Sequence, residues 1–283
     1  MLKKHNAAWV LITGSSSGIG LCLVEKFLDL GYRVIATCHR AAHIQSQLRS
    51  DLFHSPRLQI EELDVTDELA WQELLDKLRV KGQDIGILIN NAGVLYADYV
   101  AEAQWSQIEA QVKVNSLGVM LGCHKLAPLM VKQGFGHIIN VGSLAGIAPV
   151  PGMAAYCASK FAVRGFSVAL AMELRASHVY VSVVELDACA TPMLHKAEKK
   201  AAAALLFSGN RILTPEEVAE TIVGPVLQKR APEYLLPLSR GYVAKTMALF
   251  PELAVACEPI FHRWGDRQQR LRETKAKARH AST

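Results

Sequence analysis

Tyr156 and Lys160 stand four residues apart in the run Tyr156-Cys157-Ala158-Ser159-Lys160. If that run is helical, the phenol and the ammonium project from one face. A free phenol titrates near pH ~10, too high for ready proton exchange at neutrality. An adjacent ammonium favours phenolate and lowers that value, which makes the pair a candidate general acid and base.

A second stretch has the residue types to hold phosphate. In Thr13-Gly14-Ser15-Ser16-Ser17-Gly18-Ile19-Gly20, Gly14 permits a sharp exit from a strand and Gly18 lets backbone come close to a pyrophosphate. Gly20 lets the following helix pack against the strand. The helix start then offers free N–H groups and partial positive charge to an anion. Further on, Cys38-His39-Arg40 ends the next apolar run. An acid there would accept both ribose hydroxyls of a dinucleotide. His39 and Arg40 can instead pair with a 2′-phosphate, so NADP is expected over NAD.

The elements that must position these residues alternate along the chain. Trp9 to Ile12 reads as a strand, and Leu21, Val24, Phe27 and Leu28 fall at helical spacing after the glycine turn, with Gly31 as the stop. Further strands are predicted at 33–37, 58–63, 85–89, 137–141 and 179–185. Helices are predicted after Thr66 as cap, over roughly 102–132, over 154–175, and from Thr214-Pro215-Glu216-Glu217, which spells a capping box. Strand–helix–strand order makes the strands parallel. The whole reads as α/β with a single doubly wound parallel sheet. The chain divides into 1–231, a dinucleotide-binding and catalytic domain, and 232–283. In the latter, Pro232, Pro237, Pro251 and Pro259 break the rhythm into a short helical appendage with a basic, solvated end.

Composition excludes several classes. The 283 residues are 51% hydrophobic and 20% charged, far from a disordered chain. No apolar run approaches the ~20 residues of a membrane span, and the first six residues carry no signal-type apolar stretch. The six cysteines show no metal or redox spacing, so no metal site is expected. The net charge of +5 owes much to Arg263, Arg267, Arg270, Arg272, Lys275, Lys277 and Arg279. The remaining body is near neutral and shows no nucleic-acid stripe.

Taken together, Thr13-Gly14-x-x-x-Gly18-Ile19-Gly20, Asp64-Val65, Asn90-Asn91-Ala92-Gly93, Asn115, Ser143 and Tyr156-x-x-x-Lys160 resemble the short-chain dehydrogenase/reductase family across about residues 7–195. The wording around Tyr156 looks most like the branch acting on steroids, retinoids and other apolar alcohols. The resemblance implies a Rossmann-type fold and an NAD(P)-dependent oxidoreductase that interconverts an apolar ketone or aldehyde and its alcohol by hydride transfer. Tyr156 would exchange the proton with the substrate oxygen. Lys160 would lower the tyrosine pKa and hold the nicotinamide ribose, Ser143 would polarise the carbonyl, and the Asn115 amide would organise a proton-feeding water. Gly14, Ser15, Ser17, Gly18, Ile19 and Gly20 would line the phosphates, with His39 and Arg40 at the ribose. Asp64 and Val65 would lie at the adenine, Asn91, Ala92 and Gly93 along the cofactor, and Thr191 near the nicotinamide amide. Met193 would join Ser143 and Tyr156 at the substrate.

The sequence departs from the family pattern at Leu186-Asp187, which stand where Pro-Gly is usual. After Thr191, a lid is expected, with apolar Met193, Leu194, Leu205, Leu206 and Phe207 interspersed with Lys196, Lys199 and Lys200. Family likeness implies a homodimer or homotetramer through the helices around 102–132 and 154–175. A cytoplasmic location is expected, with contact to a membrane surface through the C-terminal pieces as a further option. The alternative reading is a nucleotide-binding sensor or scaffold with lost or incidental oxidoreductase activity.

Overall fold

A computed structural model describes residues 8–280 except 199 and 210, without the side chains of 273 and 275–280. Lys199 and the first six residues therefore lie outside the described residues. Seven strands run in one direction: β1 (Trp9–Ile12), β2 (Arg33–Cys38), β3 (Leu58–Glu62), β4 (Ile85–Asn90), β5 (Gly136–Val141), β6 (Val179–Leu186) and β7 (Glu233–Leu236). Their order is β3-β2-β1-β4-β5-β6-β7, with every neighbouring pair parallel. The order reverses between β1 and β4, so the chain crosses from one half of the sheet to the other there. In such a sheet the crevice opens at that point, beyond the carboxyl ends. The doubly wound α/β reading holds.

Both faces of the sheet are covered, so β1, β4 and β5 are buried along their whole length without alternation. Val10 and Ile12 of β1 pack with Leu23, Val24 and Phe27 of α1 (Gly18–Asp29). Leu11 faces the other way, toward Trp71 of α3 (Glu68–Val80) and Leu126 of α5 (Gly118–Gln133). The short α2 (Ala41–Gln45) follows β2. The helix expected over 102–132 is α4 (Trp105–Val112), a π-turn (Lys113–Leu117), then α5. As a continuous helix from Trp105 to Gln133 it reaches membrane-span length with mean hydropathy 1.2, yet half of that window is buried in the fold. It qualifies the expectation that nothing approaches a span, and it reads as a core helix. Helix α6 (Ala154–Glu173) carries Tyr156 and Lys160.

One local expectation changes and another holds. Asp67, not Thr66, caps α3, accepting from the N–H groups of Leu69 and Ala70; Thr66 is drawn away by donating its own N–H and hydroxyl to Asp64 at 2.8 and 2.7 Å. The box at Thr214 and Glu217 caps α8 (Pro215–Thr221) as expected.

The segment beyond 231 opens with a strand, because β7 extends the sheet alongside β6. Helices α9 (Leu238–Leu249) and α10 (Pro251–His280) follow. The end expected to be solvated is instead helical through His280, and its inner face rests on the 3₁₀ segment Ala201–Phe207 and on Glu198 and Lys200, which join that segment to α7 (Pro192–Ala197). Gln269 is buried and donates to the carbonyls of Glu198 and Lys200 at 2.5 and 3.2 Å. Arg272 pairs with Glu198 at 2.8 Å and lies over the Phe207 ring. Gly265 sits so close that an added Cβ would come within 2.1 Å of the Ala204 carbonyl oxygen.

That contact makes an inverted stability rule testable. On an open helix face, Gly265→Ala would stabilise by ~1 kcal/mol through helix propensity. Here overpacking is expected to win, with a loss of about 1–3 kcal/mol and faster tryptic cutting at the exposed Lys196 and Lys200. Thermal melts and timed trypsin digests check both; a stabilised, equally resistant variant would show that α10 does not hold this segment.

Candidate active site

A cavity of about 460 Å³ lies over the carboxyl edge of the sheet, within the range of small-molecule sites. One end is basic, with His39, Arg40 and His43 beyond β2. The middle runs along Gly14, Ser16, Ser17, Gly18 and Ile19, then Asn91, Ala92 and Gly93. The far end holds Ser143, Tyr156 and Lys160 against Val94, Leu95, Met193, Leu194 and Leu206.

The glycine turn is built for close approach. Gly14 has φ +67°, and a Cβ there would meet Ala92 Cα at 2.7 Å; Gly18 has φ +53°. Thr13 ties the turn to β4: its hydroxyl accepts from the N–H groups of Asn91 and Ala92 at 3.0 and 3.1 Å. Asn91 returns its amide N–H groups to the carbonyls of Thr13 and Gly14, both at 3.0 Å. Ser17 occupies the cap position of α1 without a side-chain capping bond, and no acid lies in the first turn. Orphan N–H groups and the helix dipole therefore face the cavity, which fits a pyrophosphate.

At the far end, the first turn of α6 brings the phenol beside the exit of β5. The Tyr156 hydroxyl lies beside the Ser143 side chain; desolvation dominates and pushes the phenol up to about 12, with Ser143 opposing the shift. Ser143 caps a 3₁₀ turn (Leu144–Gly146), its hydroxyl accepting from Ala145 N–H at 3.2 Å. Lys160 is buried, and its Nζ donates to the Val141 carbonyl at 2.9 Å. Loss of water lowers its ammonium to about 8, with Glu185 opposing the shift. The lysine Nζ stands 5.8 Å from the Tyr156 ring centroid. Desolvation leads among the influences on the phenol here, and the Lys160 ammonium is not one of them.

Four of the residues expected at the site do not line the cavity. Ser15 is buried beneath the turn, with its hydroxyl on the Ile12 carbonyl at 2.9 Å. Gly20 serves packing, since a Cβ would meet the Gly14 carbonyl oxygen at 2.2 Å. Burial works against ionisation of Asp64, but the two Thr66 hydrogen bonds and His39, 4.0 Å away, hold its carboxyl below the usual range. Asn115 sits in the π-turn, a frequent companion of functional sites. Its Oδ1 accepts from Val94 N–H at 2.8 Å, and its amide donates to the Val94 carbonyl at 2.9 Å and to Ser159 Oγ at 3.1 Å. Both amide protons are used there, so the amide shapes the loop after β4 in place of the water-organising role expected of it. Val65, Thr191 and Met193 do line the cavity, as do Ser16, Cys38 and His43, which sequence reasoning passed over. His43 could have been found from its place one helical turn beyond Arg40.

The Leu186-Asp187 departure proves to be stabilised. Leu186 continues β6 into the core, and Asp187 lines the cavity wall. Arg240 of α9 donates to its Oδ2 at 2.9 Å and also reaches Ser208 Oγ at 3.2 Å. The extra carboxylate is therefore paired by a cation from beyond residue 231.

Known proteins agree with this geometry. Residues 8–202 match the short chain dehydrogenase family. The chain is 33% identical over 217 residues to the NADP-dependent 3-hydroxy acid dehydrogenase YdfG of Escherichia coli O6:H1, covering 75% of this chain and 86% of the relative. It is 32% identical over 220 residues to sulfoacetaldehyde reductase 2 of Chromohalobacter salexigens, with coverages of 75% and 86%. Among solved structures, the closed form of serine dehydrogenase complexed with NADP+ superposes with a TM-score of 0.72 at 31% identity, over 80% of this chain and 93% of that one. These names speak of a hydroxy acid, a sulfonated aldehyde and an amino acid, so they do not carry the finer likeness to steroid and retinoid enzymes. The chain belongs to the short-chain dehydrogenase family and is an NAD(P)-dependent oxidoreductase.

Proposed function

We propose that the chain is an NADP-dependent reductase of an apolar ketone or aldehyde, with Tyr156 as proton donor, Ser143 as carbonyl binder and Lys160 at the ribose. The observation that carries this reading is that Tyr156 and Ser143 lie together at the apolar end of a cavity whose opposite end is basic. A half-buried phenol that holds its proton is the acid form that reduction consumes. A bound nicotinamide exchanges hydride with the carbonyl carbon. Ser143 and Tyr156 hold the substrate oxygen from the β5 and α6 sides, so charge developing on that oxygen meets two preset donors.

Preference for NADP rests on His39, Arg40 and His43 at the end of β2, where a 2′-phosphate would pair with them. The relative named NADP-dependent and the neighbour solved with NADP+ support the same choice. The apolar substrate rests on the cavity wall. Among the described residues lining it, Lys160 is the one Lys or Arg at the tyrosine end, and it is turned to Val141. A hydroxy-acid carboxylate would find no free arginine or lysine among the described residues there. Self-association through α4, α5 and α6 belongs to this reading, and their exposed Trp105, Leu117, Phe161 and Met172 suit it.

Tyr156→Phe is expected to lower turnover by about 10²–10⁴-fold with the NADPH dissociation constant unchanged. NADPH oxidation followed at 340 nm with apolar ketones, apolar aldehydes and 3-oxo acids checks it, and parent-like turnover would remove Tyr156 from its role. Replacing His39 and Arg40 together by Ala is expected to weaken NADPH by about tenfold or more with NADH little changed. An unaltered ratio of the two dissociation constants, read by fluorescence titration, would discard the 2′-phosphate assignment.

A further inference from the structure

Glu185 has no part in the chemistry described so far, yet it lies directly beneath it. It is wholly buried on β6. Val181 and Val183 pack on the side of the sheet that α6 covers, while Val184 and Leu186 face the opposite core. The two-residue repeat of a strand therefore aims Glu185 at α6, under Tyr156 and Lys160. Its Oε2 accepts from the Ser143 backbone N–H at 2.7 Å. Gly142 lies flush against that oxygen, because a Cβ there would come within 2.4 Å of it. Its Oε1 is buried without a hydrogen-bond partner.

A buried carboxylate is costly unless it is paired and bonded, so its retention under the active site calls for a reason. The charged and titratable groups around it come from two elements. Helix α6 presents Tyr156, Lys160 and Arg164, while β7 presents Glu233. Glu233 is itself bonded by Arg164 at 2.7 Å and by Lys245 of α9. Glu233 is thus occupied by its own two cations. Among these cations Lys160, whose Nζ bonds only the neutral Val141 carbonyl, is left for Glu185.

We propose that Glu185 is a positioning residue of the active site: it holds Ser143 in place through the backbone N–H and supplies the buried counter-charge for Lys160. The proposal rests on the roles given above to Ser143, Tyr156 and Lys160. Burial pushes the Glu185 carboxyl up to about 8, where Lys160 also lies, so the carboxylate forms on the alkaline side of neutrality and there sustains the ammonium. The sign of the effect follows. Removing the negative charge disfavours the ammonium of Lys160 and favours the phenolate of Tyr156, so both groups lose their protons at lower pH.

The test uses the full-length Glu185→Gln and Glu185→Ala variants, with Tyr156→Phe as reference. NADPH dissociation constants are read by nicotinamide fluorescence from pH 6 to 10, and NADPH oxidation with decanal over the same range. Gln keeps an acceptor for Ser143 N–H but no charge. It is expected to retain most of the turnover at its own optimum and to move the alkaline limb of both profiles acidward by about one pH unit. Ala loses the acceptor as well and is expected to fall about tenfold further in kcat, a loss that Gln rescues. Profiles for Gln that superimpose on the parent would overturn the counter-charge, and equal turnover of Ala and Gln would overturn the hold on Ser143. Gln is nearly isosteric, so the first outcome is readable even where Ala does not fold. The binding profile needs no carbonyl substrate. A parent-like Tyr156→Phe therefore defeats the proposed reaction, while the displaced limb of Glu185→Gln is judged on its own.

Discussion

All seven strands point the same way, and this constraint organises the rest of the molecule. A parallel sheet needs a crossover between strands, and each crossover returns the chain to the same starting edge. The carboxyl ends, and the loops that leave them, therefore gather along one rim. Thr13 and Gly14 leave β1 there, Asn91 leaves β4, Ser143 leaves β5 and Asp187 leaves β6. Residues up to about 170 positions apart in sequence become neighbours without any special device. The reversal between β1 and β4 opens the crevice in which the glycine turn and the Tyr156 helix meet.

Desolvation then sets the chemistry. The phenol, the ammonium and the carboxylate of Tyr156, Lys160 and Glu185 all lose water, and each is pushed toward its neutral form. Hydrogen bonds decide what remains. Tyr156 lies beside Ser143, Lys160 anchors to the end of β5, and Glu185 grips the next backbone N–H but one. The same desolvation that raises the tyrosine pKa makes it a proton holder.

The C-terminal part of the chain is bound into this arrangement from two sides. Arg240 neutralises the Asp187 carboxylate that replaces the usual turn glycine, and α10 presses Gln269 and Gly265 against the segment carrying Leu206. Neither contact is local, and both bear on the apolar wall of the cavity. The shape of that wall is thus a property of the whole chain.

Much of this was legible in one dimension. The apolar runs, the spacing of Gly14, Gly18 and Gly20, the Tyr156–Lys160 pair and the capping box at Thr214 all depend on neighbours within a turn or a strand, and local sterics and periodicity read them directly. The basic end at His39 and Arg40 was visible for the same reason. What stayed hidden is what depends on partners far along the chain. No local signal distinguishes Asn115 as a loop clamp from Asn115 as a water holder, since the answer lies with Val94 and Ser159. Glu185 reads as one more strand residue until α6 is laid over β6. The four-residue run Glu233–Leu236 is too short to declare itself a strand before β6 offers an edge to pair with. The sequence alone determined the kinds of elements, their order and the chemical groups at the rim, because these follow from short-range backbone preferences. Only the tertiary structure decided which groups lose water and which charges face each other, because solvation and Coulomb energy depend on distance through space.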